Sequence, residues 1–191
     1  MPKIIVEVSA RHCHLSQKDA DILFGKNYRF KAMKTLSQPG QYAAMEEVGV
    51  KGPKGESKVR VVGPLRKDSQ VEMSVTDCYR LGVKPVLKVS GNIKGTPGAV
   101  LIGPKGKVTL KQGLIVAQRH LHVSSAEAMA LKVKNGQLVK MKISGLRGLI
   151  FNNVAVRVDK NFKKSFQIDT DEGNACGWKP GMTADLIINN Q

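Results

Sequence analysis

A decapeptide that occurs twice constrains this chain more than any other feature. Arg11-His12-Cys13-His14-Leu15-Ser16-Gln17-Lys18-Asp19-Ala20 is echoed by Arg119-His120-Leu121-His122-Val123-Ser124-Ser125-Ala126-Glu127-Ala128. Both copies read Arg-His-x-His-x-Ser-x-x-acid-Ala, and the chain's 4 histidines all lie within them. A chain that carries the same motif once in each half is expected to fold as two related units, each built around its own copy.

Local physics places both copies. Lys3 to Ser9 is β-branched and apolar and reads as a strand running into the first His-x-His. Ser16 is an N-cap candidate with Asp19 three residues on, and Gly25 closes the short helix after Leu23-Phe24. Ser124 and Glu127 repeat the device. Each histidine pair therefore sits between a strand end and a helix start, where unpaired backbone N–H groups favour anions.

The rest of the chain is a succession of short strands and turns. Gly52-Pro53-Lys54-Gly55 and Gly103-Pro104-Lys105-Gly106 are the same tetrapeptide twice, and with no helix directly following they read as hairpin turns rather than phosphate loops. A short strand is expected at Lys58 to Val62, another at Ser69 to Ser74, and one helical turn from Asp77 to Leu81 ending at Gly82. Beyond the second copy, strands are expected at Gln137 to Ile143, Leu149 to Phe151, Val154 to Val158, Phe166 to Asp169 and Ala184 to Ile188. With 19 Gly and 8 Pro dispersed among apolar runs, the pattern favours a mainly β fold. We expect two related small β-barrels packed about a pseudo-twofold axis, with the active site between them.

Charge and cysteine content narrow the function classes. A formal charge of +16 calls for a polyanionic ligand or partner, or for a well-solvated surface. Aromatics make up only 5% of the chain, which leaves little for stacking bases and favours a phosphate-bearing small ligand over nucleic acid. Cys13, Cys78 and Cys176 form no CxxC motif and cannot all pair, as in a protein of a reducing compartment. Residues 1–10 are too short and charged for a signal peptide, and no apolar run approaches the roughly 20 residues that span a bilayer. A cytoplasmic protein without membrane contact is expected.

In an extended strand, residues i and i+2 share a face, so His12 and His14 converge while Cys13 points away, and His120 and His122 converge around Leu121. Two imidazoles so placed are half of a zinc site, which takes a third protein ligand and leaves a position for water or substrate. The plainer reading is that they cap turns or bind anions; two copies holding every histidine favour a metal. Third-ligand candidates are Glu72, in the otherwise apolar and small-residue run Val71 to Ser74, and Gln167, Asp169 and Asp171 on one face of an extended Phe166 to Glu172. Periodicity alone does not choose among them.

These residues together resemble the PduL-type phosphotransacylases, the phosphate propanoyltransferase family, over essentially the whole chain. The resemblance is carried by Val8-Ser9-Ala10-Arg11-His12-Cys13-His14-Leu15-Ser16, Leu36-Ser37-Gln38-Pro39-Gly40-Gln41-Tyr42-Ala43-Ala44 and Val59-Arg60-Val61-Val62-Gly63-Pro64-Leu65-Arg66. It continues through Gln70-Val71-Glu72-Met73-Ser74, Ser90-Gly91, Arg119-His120-Leu121-His122 and Ile168-Asp169-Thr170-Asp171-Glu172-Gly173-Asn174-Ala175. It implies two β-barrels capped by short helices, residues 1–10 with 118–191 forming one and 11–117 the other, and two zinc ions. Glu72, His120 and His122 would hold the zinc that meets the coenzyme A sulfur. His12 and His14 would hold the second zinc with a residue at the Gln167 position, where the family pattern has histidine. Arg66 and Ser9 would serve the phosphate pocket.

The implied activity is reversible transfer of an acetyl or propanoyl group between coenzyme A and inorganic phosphate, the chemistry of propanediol degradation. Acyl-CoA and phosphate are then the partners, with no nucleic acid and no membrane. The resemblance leaves room for a homo-oligomer or for association with a bacterial microcompartment. Members sent to microcompartments carry an N-terminal amphipathic extension, whereas here the first strand starts at Lys3, so a free cytoplasmic enzyme is expected. Two other readings stay open: a basic nucleic-acid-binding module with structural histidines, and a family member impaired through Gln167 that keeps a structural role.

Overall fold

The structure is a computed structural model and describes residues 3–187. Its elements follow in order. The first stretch holds β1 (Lys3–Val8), β2 (His12–His14), α1 (Gln17–Phe24), β3 (Ala32–Thr35), β4 (Tyr42–Lys51), β5 (Glu56–Gly63) and β6 (Gln70–Glu72). Then come α2 (Val75–Leu81), β7 (Leu87–Lys88), β8 (Ala99–Ile102), β9 (Lys107–Leu110), β10 (Leu114–Ala117), β11 (His120–Val123) and α3 (Ser125–Leu131). The chain ends with β12 (Leu138–Ile143), β13 (Leu149–Val158), β14 (Ser165–Ile168), α4 (Thr170–Cys176) and β15 (Thr183–Ile187). The fold is mainly β with short helices. The strand expected at Ala184 to Ile188 is described up to Ile187; residue 188 lies outside the described residues.

The chain divides into two compact units. One is Ala10–Ala117; the other takes both chain ends, up to Ser9 and from Gln118 onward. In the second of these, β1-β14-β11-β13-β12-β15 close into a barrel. Its core includes Ile4, Val6, Leu121, Val123, Met141, Val156, Phe166, Ile168 and Leu186, inward positions of its strands. β1 joins by pairing parallel with β14 and antiparallel with β15.

In the Ala10–Ala117 unit the ladder runs β7-β10-β6-β2-β5-β4-β8-β9, with β3 alongside β4. Its ladder ends at β7 and β9, so of the two expected barrels this one is a half-barrel sheet. Leu15, Leu23, Val48, Val50, Val61, Val71, Met73, Leu81, Leu101 and Leu114 fill its core.

Both Gly-Pro-Lys-Gly tetrapeptides are hairpin turns, joining β4 to β5 and β8 to β9, with Gly52 N–H donating to Gly55 and Gly103 N–H to Gly106, each at 2.9 Å. They have a second task. Lys54 N–H donates to Leu81 O at 2.9 Å and Lys105 N–H to Leu23 O at 3.0 Å, so each turn satisfies a carbonyl that α2 or α1 leaves unpaired in its last turn. Contact is close enough that a Cβ on Gly52 would sit 2.4 Å from Leu81 O, and one on Gly103 2.4 Å from Leu23 O.

The helices start where the sequence indicates. Ser16 accepts from Asp19 N–H, and Ser124 with Glu127 forms a capping box. The segment after β14 departs from the extended reading. Asp169 leaves the strand, accepts from Glu172 N–H at 2.8 Å and caps α4, while Asp171 lies inside that helix. A capping box whose N3 position is Glu172 competes with strand alternation here and wins. That removes Asp169 and Asp171 from the face that carries Gln167.

Candidate metal centre

Each His-x-His strand is held in the same frame. β2 lies between β6, antiparallel, and β5, parallel; β11 lies between β14, antiparallel, and β13, parallel. The motif arginines fasten each frame. Arg11 Nε donates to Lys58 O at 3.1 Å and its guanidinium pairs with Asp77, at the start of α2, at 3.3 Å. Arg119 Nε donates to Asn152 O at 2.7 Å and its guanidinium pairs with Glu172, at the start of α4, at 2.5 Å. The repeated arginine thus ties the strand to a neighbouring helix, and the repeated histidines are left for chemistry.

Cys13 and Leu121 point into the two cores, fully buried, as alternation requires. On the opposite face of β2, His12 pairs in register with Glu72 and His14 with Gln70. His12, His14 and Glu72 offer ligand atoms that all lie within 4.8 Å of one another. His12 Nδ1 is 2.9 Å from Ala10 O, and His14 Nδ1 is 3.0 Å from Val62 O. A carbonyl only accepts, so each Nδ1 carries the hydrogen and each Nε2 of a neutral ring bears a lone pair. Those two Nε2 atoms face each other 3.2 Å apart. The Glu72 carboxylate stands 3.7 Å and 3.9 Å from them. Two lone pairs and an anion converging in a buried spot repel unless a cation lies among them, and two imidazoles with a carboxylate are an ordinary zinc donor set. The residues fit the metal that the sequence suggests.

The electrostatics agree. Burial, with His12 and Arg66 alongside, pulls His14 down to about 3, so its ring is neutral at physiological pH. Burial alone would push the Glu72 carboxyl up, but His12, His14, the Ser90 hydroxyl and Arg66 outweigh it and hold it below the usual carboxylate range. Two side chains without an assigned role in the sequence reading complete this environment. Gln70 Nε2 and Ser90 Oγ each donate to Glu72 Oε1 at 2.6 Å, and Gln70 Oε1 accepts from Gly91 N–H at 2.7 Å. Gln70 was findable, lying two residues before Glu72 and hence on its face. Ser90, in a loop, carries no local signal. Arg66 donates to Ser90 Oγ at 3.2 Å, which brings it to this group. Ser9 directly follows β1, its N–H donating to Ile168 O at 2.8 Å.

The other copy is built alike but furnished differently. Gln167 pairs in register with His120 and Ser165 with His122, so Gln167 holds the place that Glu72 holds beside β2. His120 Nδ1 is 2.8 Å from Gln118 O, which again assigns the hydrogen to Nδ1. His122 is buried, its ring tilted against Phe162 with centroids 4.3 Å apart, and its Nδ1 has no hydrogen-bond partner. The equivalent nitrogen of His14 has Val62 O as its partner, so the His122 ring lacks the backbone anchor that the first copy has. Burial, with His120 and Arg157, pulls His122 down to about 2.

Strand pairing places these side chains in other company than the family resemblance implied, which set Glu72 with His120 and His122 and Gln167 with His12 and His14. β6 pairs with β2, seating Glu72 opposite His12; β14 pairs with β11, seating Gln167 opposite His120. Among the described residues, no helix is long and apolar enough to cross a membrane.

Comparison with known proteins identifies the family. A family model described as phosphate propanoyltransferase matches residues 5–179. The chain is 51% identical over 184 residues to a phosphate propanoyltransferase of Leptotrichia buccalis, spanning 95% of this chain and 87% of that one. It is 50% identical over 177 residues to one of Thermotoga maritima, spanning 92% and 84%. It is 51% identical over 172 residues to one of Salmonella typhimurium, spanning 89% and 81%. With its two His-x-His strands and a family match along nearly its whole length, the chain belongs to the phosphate propanoyltransferase family.

Proposed function

We propose that this chain is a zinc-dependent phosphate acyltransferase that moves a short acyl group, acetyl or propanoyl, reversibly between coenzyme A and inorganic phosphate. The observation that carries the metal part is the pair of His12 and His14 Nε2 lone pairs, 3.2 Å apart and facing the buried Glu72 carboxylate. Family membership supports the acyl and phosphate parts. His12, His14 and Glu72 would hold the zinc, which would supply a Lewis acid for the coenzyme A thiolate and the developing oxyanion.

In the forward direction a phosphate oxygen attacks the thioester carbonyl carbon, the C–S bond breaks, and coenzyme A leaves as thiolate before taking up a proton. Arg66 is proposed to hold phosphate: its guanidinium combines a fixed charge with the planar fork of donors that matches phosphate oxygens. Ser9 carries the same assignment from the family resemblance. Gln70 and Ser90 fix the Glu72 carboxylate, while the Nδ1–H bonds to Ala10 O and Val62 O keep His12 and His14 presenting Nε2. His120, His122 and Gln167 are proposed as a second donor set.

Direct attack by phosphate is favoured over an acyl-enzyme. Cys13 is fully buried in the core, and burial pushes its thiol far above the ordinary range, so it does not supply a thiolate. The remaining cysteines, Cys78 and Cys176, are also buried.

The test is coenzyme A release from propanoyl-CoA and acetyl-CoA in the presence and absence of phosphate, with zinc content measured on the same preparation. Phosphate-dependent release by zinc-loaded wild type, lost by about a hundredfold or more in Arg66→Ala and in Glu72→Ala, is expected. A purified protein with no zinc and no phosphate-dependent release would overturn the reading and favour a basic binding module.

A further inference from the structure

A glutamine is an awkward residue to find opposite His120. Its amide oxygen is a neutral and weak zinc donor, and a free amide can turn either its oxygen or its NH2 group toward a metal, only one of which ligates. In this chain the ambiguity is removed from an adjacent strand. Glu7 of β1 pairs in register with Gln167 of β14, and Gln167 Nε2 donates to the Glu7 carboxylate. The same nitrogen reaches Ser165 Oγ at 3.1 Å. A carboxylate only accepts, so the amide end facing Glu7 must be the NH2; the flipped amide would set oxygen against oxygen. β14 lies between β1 and β11. An amide whose nitrogen is committed on the β1 side has its oxygen turned toward β11, where His120 stands in register. Val6, Phe166 and Leu121 point into the barrel core, so Glu7, Gln167 and His120 share the opposite face.

We propose that Glu7 is a positioning residue for metal binding: it locks the Gln167 amide so that Oε1 stands in for an imidazole beside His120 and His122. Beside it, His122 is buried and its Nδ1 has no hydrogen-bond partner, so this ring is not committed to the protein through that nitrogen. Glu7 also brings a negative charge next to a neutral ligand, as Glu72 does directly beside His12 and His14. The register position facing Glu72 from the parallel strand on its other side holds the apolar Ile115; there the orienting bonds come instead from Gln70 and Ser90. The inference rests on the proposed metal chemistry of the second His-x-His strand.

Zinc(II) is titrated into metal-free protein against a competing chelator, with Glu72→Ala in every variant to silence the other group and thermal melting to confirm folding. In the Gln167 background, Glu7→Gln is expected to weaken the remaining site by about 10- to 100-fold, the usual cost of losing a group that orients a ligand. In the Gln167→His background an imidazole ligates without that help, and Glu7→Gln is expected to change the constant little. Zinc binding in the Gln167 background that Glu7→Gln leaves unchanged would overturn the role of Glu7 alone, as would an equal loss in both backgrounds. No zinc binding in either background would overturn it together with the metal reading of this strand.

Discussion

Glu72 and Gln167 occupy the same place in the two units: each stands in antiparallel register opposite the first histidine of a His-x-His strand. One register position therefore carries an anion in one unit and a neutral amide in the other. The Gln167→His variant is expected to raise zinc affinity at the His120 and His122 strand by about tenfold or more, since imidazole suits this borderline metal better than an amide oxygen. Equilibrium zinc competition measures it. If turnover appears only in Gln167→His, the natural chain is the impaired family member with a structural role; if wild type turns over, glutamine at this position supports activity.

The Glu72 carboxylate is held by two short bonds to one oxygen, from Gln70 and Ser90. Ser90→Ala removes one of them and the intermediary between Arg66 and the group. We expect zinc to bind about 10-fold more weakly in Ser90→Ala, with melting of the metal-free protein little changed because Ser90 sits in a loop. Calorimetric titration with zinc decides it; an unchanged affinity would show that Gln70 orients Glu72 alone.

The histidine pairs were legible because alternation is a local rule: Cys13 and Leu121 face the core, so the flanking imidazoles face away. The helix starts at Ser16 and Ser124 were legible for the same reason, each being fixed within four residues. Partner assignment was not. That Glu72 meets His12, and Gln167 meets His120, follows from which strands pair, and β2 with β6 or β11 with β14 are contacts across tens of residues that no short pattern encodes. Asp169 failed differently: an acidic residue at a strand end has the same alternation as a strand residue until Glu172, three positions later, closes a capping box. Glu7 stayed hidden because a single carboxylate in an apolar strand gives no sign of its neighbour until β1 is seen beside β14.

The two Gly-Pro-Lys-Gly turns predict where the Ala10–Ala117 unit is brittle. Alanine at Gly52 or Gly103 would place Cβ 2.4 Å from a helix-end carbonyl, whereas at Gly55 the nearest atom, Arg80 O, is 3.1 Å away. The first two contacts force the turn off its helix; the third asks for a small shift. We expect Gly52→Ala and Gly103→Ala each to cost about 1–3 kcal/mol, in the range of other overpacking substitutions, and Gly55→Ala clearly less. Urea denaturation curves of the three variants rank them, and equal midpoints would remove the turn-to-helix contact from the account.

The neutral histidines set an acid limit on the metal-free protein. An ordinary imidazole titrates near 6.5, and the unfolded chain takes up protons there. Burial, with neighbouring positive groups, keeps His14 at about 3 and His122 at about 2 in the fold. Between about 6.5 and 3 the unfolded state thus binds protons that the folded state refuses, and stability falls as pH drops through that window. Asp169 works the other way. Burial raises its carboxyl to about 6, so between about 6 and 3.8 the folded state takes up a proton that the unfolded one does not, and stability is gained as pH falls. Two histidines outweigh one carboxyl, and the urea midpoint of the metal-free protein is expected to drop from pH 7 to pH 5. In His122→Phe, whose ring replaces the imidazole against Phe162, the drop is expected to shrink. A midpoint that stays level across this range in wild type would show that His14 and His122 are protonated in the fold, and with it the lone-pair argument for the metal would fall.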